Sequence, residues 1–159
     1  MPITAAEHGP GPRMDEGLYQ AYLKTDFHVD ADPPACLHIG QQDAAFAQWL
    51  RAHGHRSAVL LTAWNPYSVP IDAAENGVRQ AQIEAEAQSL GLAFVPARGA
   101  DPDGEWPAEE SLCLFDVSLE HIDAWMRRYE QNAVVRVDEA GQVSLYWHPD
   151  LREGEKKPA

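Results

Sequence analysis

The sequence predicts a single α/β domain in which helices pack on a mixed β-sheet and a β-hairpin closes the chain; an α+β arrangement is the alternative. Apolar runs of strand length alternate with longer segments whose apolar residues recur at helical spacing, which favours helices packed on a sheet. Two strand-like runs end the domain around a turn that contains Gly141, as in a hairpin. The chain has 159 residues, of which 45% are hydrophobic, and this is enough for one core.

The domain is predicted to extend over residues 15–150. Residues 1–14 carry closely spaced glycine and proline and are expected to form a disordered arm. Residues 151–159 are charged and are expected to form a disordered tail. The first predicted elements are a helix over 15–25, strands over 26–30 and 35–39, and a helix over 42–53.

The central strand is predicted over residues 57–64, because this run is apolar on both faces and is expected to be covered on two sides. A long helix follows: Asp72 and Glu75 have the spacing of a capping box at its start, and Gly91 ends it. The remaining elements are a strand over 92–96, a polar loop over 97–110, a strand over 112–117, a helix over 118–129 capped by Ser118, and hairpin strands over 133–137 and 143–147.

The charge of the chain limits its partners. Lysine and arginine total 12 against 25 aspartate and glutamate residues, so the formal net charge is −13. This charge repels phosphate backbones and anionic lipid surfaces, so we expect neither nucleic acid nor membrane as a partner. The acidity either keeps the protein soluble or offers a negative surface to a basic protein partner. The sequence shows no signal-peptide pattern and no apolar run of membrane-spanning length, so the expected location is the cytoplasm.

Metal ions and cofactors are not predicted. Cys36 and Cys113 lie in apolar runs without a paired spacing, so we interpret both as reduced core residues, with a disulfide between them as the alternative. The acidic loop has Trp106 where a calcium-binding loop requires glycine. The sequence also lacks the phosphate-loop, dinucleotide and zinc-protease motifs. We therefore expect no metal and no cofactor.

The end of the central strand is a candidate ligand site, because open α/β sheets bind ligands beyond the carboxyl ends of their strands. Asn65 and Ser68 suit neutral hydrogen bonds, and Trp64 or Tyr67 can stack on a planar group. The alternative is that Asn65 initiates the turn before Pro66 and that both aromatic rings belong to the core.

Asn76 and Arg79 lie three residues apart on the long helix and therefore share a face. Arg79 has the planar fork that grips carboxylate or phosphate groups. The alternatives are a solvated surface pair, or an arginine that binds Glu75 or Glu110 within the fold. In the polar loop, Trp106 is predicted to be the hydrophobic latch of a flexible acidic lid.

Four segments carry a family resemblance. They are Leu61-Thr-Ala-Trp-Asn-Pro66, Glu75-Asn-Gly-Val-Arg79, Gly99 with Trp106 and Glu109-Glu-Ser111, and Tyr129-Glu-Gln-Asn-Ala133. Taken in this order, they resemble the bacterial domain of unknown function family 3293. The resemblance spans residues 19–137 and implies no activity. It does imply a set of polar and aromatic site residues, namely Thr62, Asn65, Asn76, Arg79, Trp106, Glu110 and Gln131.

The first functional hypothesis is a cytoplasmic domain that binds a small polar or anionic ligand near the turn at Asn65. Arg79 would anchor an anion, and Asn65 and Asn76 would hydrogen-bond it. Trp106 would close over the ligand. If the protein is an enzyme, Glu110 is the candidate general base. The second hypothesis is a non-catalytic acidic protein that binds a basic protein partner.

Overall fold

The computed structural model of the chain describes residues 11–156. Its helices are α1 Glu16–Lys24, α2 Ala44–Ala52, α3 Ala73–Ser89, α4 Leu119–Arg128 and α5 Pro149–Lys156. Its strands are β1 Asp26–Val29, β2 Ala35–Leu37, β3 Ala58–Leu61, β4 Phe94–Ala100, β5 Glu109–Phe115, β6 Ala133–Val137 and β7 Val143–Trp147. A short 3₁₀ turn, Pro66–Ser68, lies between β3 and α3. None of these described helices is long and apolar enough to cross a bilayer.

The strands of the described residues form one sheet in the order β2-β1-β4-β5-β3-β6-β7. The predicted α/β fold with a C-terminal hairpin is confirmed, but every strand pairing is antiparallel rather than mixed. The reason is that the strands joined through a helix are not neighbours in the sheet. Helix α3 joins β3 to β4 with β5 between them, and α4 joins β5 to β6 with β3 between them. The segment from β3 to β6 therefore has the split βαβ arrangement of ferredoxin-like folds.

The two faces of the sheet carry separate apolar layers. On one face, Leu50 of α2 clusters with Leu60 of β3. On the other face, Ile83 of α3 and Met126 of α4 cluster with Leu61 of β3. Successive strand residues point to opposite faces, so β3 contributes to both layers. All of its residues are buried, which confirms a central strand covered on two sides.

Helices α1 to α4 each begin after a residue whose side chain accepts a backbone N–H group from the first turn. This is the usual way in which the unpaired N–H groups at a helix start are satisfied. The pairs are Asp15 with Leu18 at 2.8 Å, Asp43 with Phe46 at 2.9 Å, Asp72 with Ala74 at 3.1 Å, and Ser118 with His121 at 3.2 Å. The predicted caps at Asp72 and Ser118 are therefore confirmed.

The hairpin of β4 and β5 is longer than predicted. β4 continues through Ala100 and β5 begins at Glu109, so the connecting loop covers 101–108 rather than 97–110. The extra pairs include Arg98 opposite Glu110. Backbone pairing places no demand on side-chain polarity, and opposite charges facing each other across strands are favourable. For this reason the polar residues of the two strands resemble a loop in the sequence.

The C-terminal tail also differs from the prediction. Residues 151–156, expected to be disordered, continue helix α5 from Pro149, a residue suited to the first turn of a helix. Arg152 anchors this helix by donating to the Trp147 carbonyl at 2.8 Å and to the Asp123 carboxylate at 2.6 Å. Residues 157–159 lie outside the described range. Of the predicted N-terminal arm, residues 1–10 also lie outside that range, and residues 11–14 form neither helix nor strand.

The two cysteines occupy different environments, and both are free. Cys113 is buried in β5, as predicted. Cys36 is exposed, so the prediction that it belongs to the core is wrong. Its neighbour Leu37 is fully buried, and the alternation along β2 turns Cys36 to the opposite face.

Candidate functional site

A cavity of about 670 Å³ lies between α1, the sheet and the segment that follows β3. This volume falls within the range of small-molecule sites. Its walls come from α1, from the carboxyl end of β3, from the first turn of α3 and from the β4–β5 hairpin. The cavity therefore lies at the place where the sequence predicts a site, beyond the end of the central strand.

The lining of the cavity has an apolar part and a polar part. The apolar part includes Leu18, Phe27, Leu60, Ile71 and Val135. The polar part includes Tyr22, Thr62, Asn65, Ser68, Glu109, Ser111 and Gln131. Arg13 and Asp15 also belong to the wall, where they form an ion pair with each other. An apolar wall with a few convergent polar groups is typical of a site for a small organic molecule.

Two asparagine side chains hold the turn after β3. Asn76, only 2% exposed, accepts the backbone N–H of Asn65 at 2.8 Å and donates to Asn65 Oδ1 at 2.9 Å. Asn65 Oδ1 also accepts the Ile71 N–H at 3.2 Å, and Asn65 Nδ2 donates to Glu109 Oε2 at 3.0 Å. The same amide therefore shapes the turn and fixes the carboxylate of Glu109 on the cavity wall.

The turn itself has an unusual backbone. Asn65, Tyr67 and Ser68 have positive φ angles of 50°, 50° and 65°, in the left-handed region that favours glycine. Such conformations cost roughly 1–3 kcal/mol per residue and persist where neighbouring groups impose them. Here the Tyr67 N–H donates to the Glu130 carbonyl, and Ser68 Oγ accepts from Asn132 Nδ2 at 3.1 Å. Strain of this kind is concentrated at functional sites, which supports a functional role for the turn.

Glu109 is the carboxylic acid of the polar part. Desolvation raises the pKa of its carboxyl group, and the hydrogen bond from Asn65 acts in the opposite direction. Desolvation also raises the pKa of the Tyr22 hydroxyl well above its usual range, with the nearby charge of Glu109 as a second cause. A carboxyl group that is costly to ionise without a partner favours a ligand that donates a hydrogen bond or carries a positive charge.

Glu109→Gln is predicted to be more stable than the wild type at neutral pH, and the difference is predicted to vanish below about pH 4.5. The folded carboxyl has the raised pKa, so the unfolded chain loses its proton first as the pH rises, and the folded state is destabilised above that point. Glutamine carries no proton to lose and keeps an oxygen that can accept from Asn65. Urea unfolding on both sides of this pH measures the effect. Glu110→Gln, at the exposed neighbouring position, is the control for loss of one charge; an equal gain in that variant would contradict the prediction.

The structure brings most of the predicted site residues together. Five of them line the cavity, namely Thr62, Asn65, Asn76, Trp106 and Gln131. Several of these are already engaged within the fold. Thr62 Oγ1 donates to the Glu110 carbonyl at 2.6 Å, and Gln131 Nε2 donates to the carbonyls of Trp64 and Tyr129, each at 3.0 Å. These side chains build the wall of the site, so fewer hydrogen-bonding groups are left for a ligand than the sequence suggests.

Arg79 does not line the cavity. Its Nε donates to the Ala63 carbonyl at 2.6 Å, one terminal nitrogen donates to the Tyr129 carbonyl, and the other donates to Glu130 Oε1 at 3.3 Å. This corresponds to the internal alternative for Arg79, although its partners are not the Glu75 and Glu110 considered from sequence. Arg79 joins the end of β3 to the end of α4 and so supports the site from outside.

Glu110 is also outside the cavity. It is exposed, while Glu109 faces the cavity from the adjacent position of β5. Neighbouring strand residues point to opposite faces, so one residue separates the predicted carboxylate from the one that lines the site. Sequence reasoning missed Glu109, as it missed Tyr22 and Arg13 on the wall near α1.

Lys24 holds the acidic loop. Its Nζ lies 3.4 Å from Asp101, 3.1 Å from Asp103 and 3.6 Å from Glu105, and 5.2 Å from the centre of the Trp106 ring. Asp101 is buried and accepts the backbone N–H groups of Asp103 at 3.0 Å and Glu105 at 2.7 Å. The loop that places Trp106 on the cavity wall is thus tied to α1 through one lysine.

Lys24→Met is predicted to increase amide hydrogen exchange in residues 101–106 several-fold while the exchange of β3 stays unchanged. The substitution keeps most of the aliphatic stem but removes the positive charge that the three carboxylates share. Hydrogen exchange read by mass spectrometry measures the change. Lys24→Arg, which keeps the charge, is the control; equal exchange in both variants would show that the cation does not hold the loop.

The fold and the site define the chain as an antiparallel α/β domain with a cavity of ligand size. Residues 61–134 match the family model described as Protein of unknown function (DUF3293). The resemblance to that family is therefore confirmed from the end of β3 into β6, and the matched range contains every predicted site residue. No curated protein and no solved structure matches the chain.

Proposed function

We propose that this protein binds a small organic molecule with an apolar body and a polar group in the cavity beside the Asn65 turn. The observation that carries the proposal is a desolvated carboxyl group, Glu109, fixed by Asn65 on the wall of a cavity of about 670 Å³. Structures rarely keep a carboxyl group in such a place without a charged partner, because its desolvation is costly. A ligand that hydrogen-bonds Glu109 would offset that cost.

The ligand we propose is polar and either neutral or cationic, rather than anionic. Arg79, which would anchor an anion, is bound to Ala63, Tyr129 and Glu130. Arg13, a cation on the wall, is paired with Asp15. Among the described residues, the carboxyl group of Glu109 is the one at the site that remains without a charged partner, and its negative charge repels an anion.

A thermal-shift screen tests the proposal. The panel contains amines, nucleosides and sugars, with carboxylates and phosphates of similar size as the anionic comparison. A ligand at a concentration of 100 times its Kd stabilises the folded state by about 2.7 kcal/mol. We expect neutral or cationic hits on the wild type and on Glu110→Gln, with affinity at least tenfold weaker on Glu109→Gln. Hits that are all anionic, or that bind Glu109→Gln equally well, would overturn the proposal.

The alternative function, binding of a basic protein partner, has a different basis, since it is supported by the net charge of −13. Such binding would weaken steeply with salt, because salt screens exposed charges. It would not depend on Glu109, because Glu109 lies on the cavity wall. For either function we propose a cytoplasmic location, and the two free cysteines fit a reducing compartment.

A further inference from the structure

Four side chains with metal-binding groups share one face of the β1–β2 hairpin. His28 of β1 is directly opposite Cys36 of β2, and Phe27 is opposite Leu37. Directly opposed side chains lie on the same face of a sheet, and alternation brings Asp26 and His38 to the face of His28 and Cys36. Phe27 and Leu37 point the other way, into the core. The sequence pattern is therefore Asp-x-His on one strand and Cys-x-His at the next.

The ligand atoms of this group are close together. One carboxylate oxygen of Asp26, one ring nitrogen of His28 and the Sγ of Cys36 all lie within 4.8 Å of one another. Bond lengths of roughly 2.0–2.3 Å place the ligand atoms of a tetrahedral zinc site roughly 3.3–3.8 Å apart. Small side-chain rotations on a rigid hairpin are enough to close that difference. His38 Nε2 lies 2.6 Å from Asp26 Oδ1 and so orients the carboxylate.

We propose that Asp26, His28 and Cys36 bind a zinc ion, and that His38 positions the Asp26 carboxylate. A thiolate and an imidazole suit Zn²⁺, whereas Ca²⁺ and Mg²⁺ take oxygen ligands. Carboxylates that bind a metal are themselves commonly held by a hydrogen bond, as His38 holds Asp26. Three protein ligands leave the fourth position of a tetrahedral ion to water or to another molecule.

The surroundings of the cluster permit metal entry. Cys36 is exposed, and the hairpin lies at the edge of the sheet, since β2 is its terminal strand. Desolvation and the charge of Asp26 raise the pKa of the Cys36 thiol, while Arg98, opposite His28 on β4, lowers it. A bound cation would displace the thiol proton, because the thiolate is the ligand. The cluster is on the face opposite to Phe27, which lines the cavity, so this site is separate from the proposed ligand site.

Cobalt titration of the untagged chain tests the proposal, because Co²⁺ in a zinc site with a thiolate ligand gives a charge-transfer absorption band. We expect one Co²⁺ per chain, displaced by one Zn²⁺. Cys36→Ser is expected to abolish the band, and His28→Gln to weaken binding at least tenfold. His38→Ala is expected to weaken it by roughly 10–100-fold, as for other partners that orient a metal ligand. All four side chains lie on the face of the hairpin opposite to Phe27 and Leu37, which pack into the core. Each variant is therefore expected to fold, as circular dichroism can verify.

Two controls separate this site from incidental metal binding. Cys113→Ala removes the other thiol, and His53→Gln removes an exposed histidine at the end of α2. Both are expected to bind Co²⁺ as the wild type does. A wild-type chain without the charge-transfer band at stoichiometric Co²⁺ would overturn the proposal. A band that survives Cys36→Ser but is lost in Cys113→Ala would overturn it as well.

Discussion

Gly141→Ala is expected to lower the free energy of unfolding by about 2–5 kcal/mol, through backbone strain and overpacking together. Gly141 has a φ of +87°, and a Cβ added to it would lie 2.2 Å from the carbonyl oxygen of Asp43. The obstacle is backbone that cannot rotate away, since Asp43 caps α2 and its own N–H donates to the Gly141 carbonyl at 2.9 Å. The turn between β6 and β7 thus fits against the start of α2 only without a side chain.

Gly54→Ala is the matched control for this prediction. Gly54 has a similar φ of +77°, but a Cβ built there meets no described atom within 4 Å. Its substitution is expected to cost only the left-handed conformation, about 1–2 kcal/mol. Urea unfolding of both variants measures the difference. Equal losses would mean that the contact with Asp43 carries no energetic weight.

Arg79→Met is expected to lower the free energy of unfolding by about 2–3 kcal/mol, because it removes charge-assisted hydrogen bonds of the kind worth the most to stability. Methionine keeps the packing of the aliphatic stem, while the Ala63 carbonyl, in a fully buried residue, loses the Arg79 donor. The Tyr129 carbonyl keeps the donor from Gln131. The lost stability is therefore expected to come mainly from the unpaired Ala63 carbonyl, between β3 and α3.

Arg51→Met is the control for Arg79, since Arg51 is an exposed arginine in the last turn of α2. Surface substitutions of this kind are usually within about 0.5 kcal/mol of the wild type. Denaturant unfolding of the two variants separates a structural arginine from a solvated one. If Arg79 were a free ligand anchor, its substitution would be as mild as that of Arg51, and the assignment made from its contacts would be wrong.

The local elements could be predicted from the sequence because their signals are local. Asp72 and Ser118 mark helix starts through a hydrogen bond within the next few residues, and the turn at Gly141 marks the hairpin. The strand order depends on which strands meet across the helices, which no local pattern specifies. The predicted mixed sheet was therefore wrong, although the helices and strands that make up the fold were present.

The location of the cavity and part of its lining could be predicted from the sequence. The end of β3 was identified because Asn65 and Pro66 follow a buried strand. The sequence does not single out Glu109, because β5 is apolar on both faces after Ser111 and shows no alternation that would tell which of two adjacent glutamates points inward. The sequence leaves open whether Arg79 anchors a ligand or binds within the fold, because its use of backbone carbonyls depends on the distant end of α4.

The central claim is that the cavity beside Asn65 binds a small molecule, and the indole N–H resonances of the tryptophans test it most directly. Trp64 and Trp106 line the cavity, whereas Trp49 and Trp125 belong to the apolar layers outside it. The Trp64 Nε1 is buried without a hydrogen-bond partner among the described residues, so its resonance is sensitive to a new acceptor. In a titration with the hits of the thermal-shift screen, we predict shifts of the Trp64 and Trp106 signals and none of Trp49 or Trp125. Ligands that bind while the Trp64 and Trp106 signals stay in place would contradict the assignment of this cavity as the binding site.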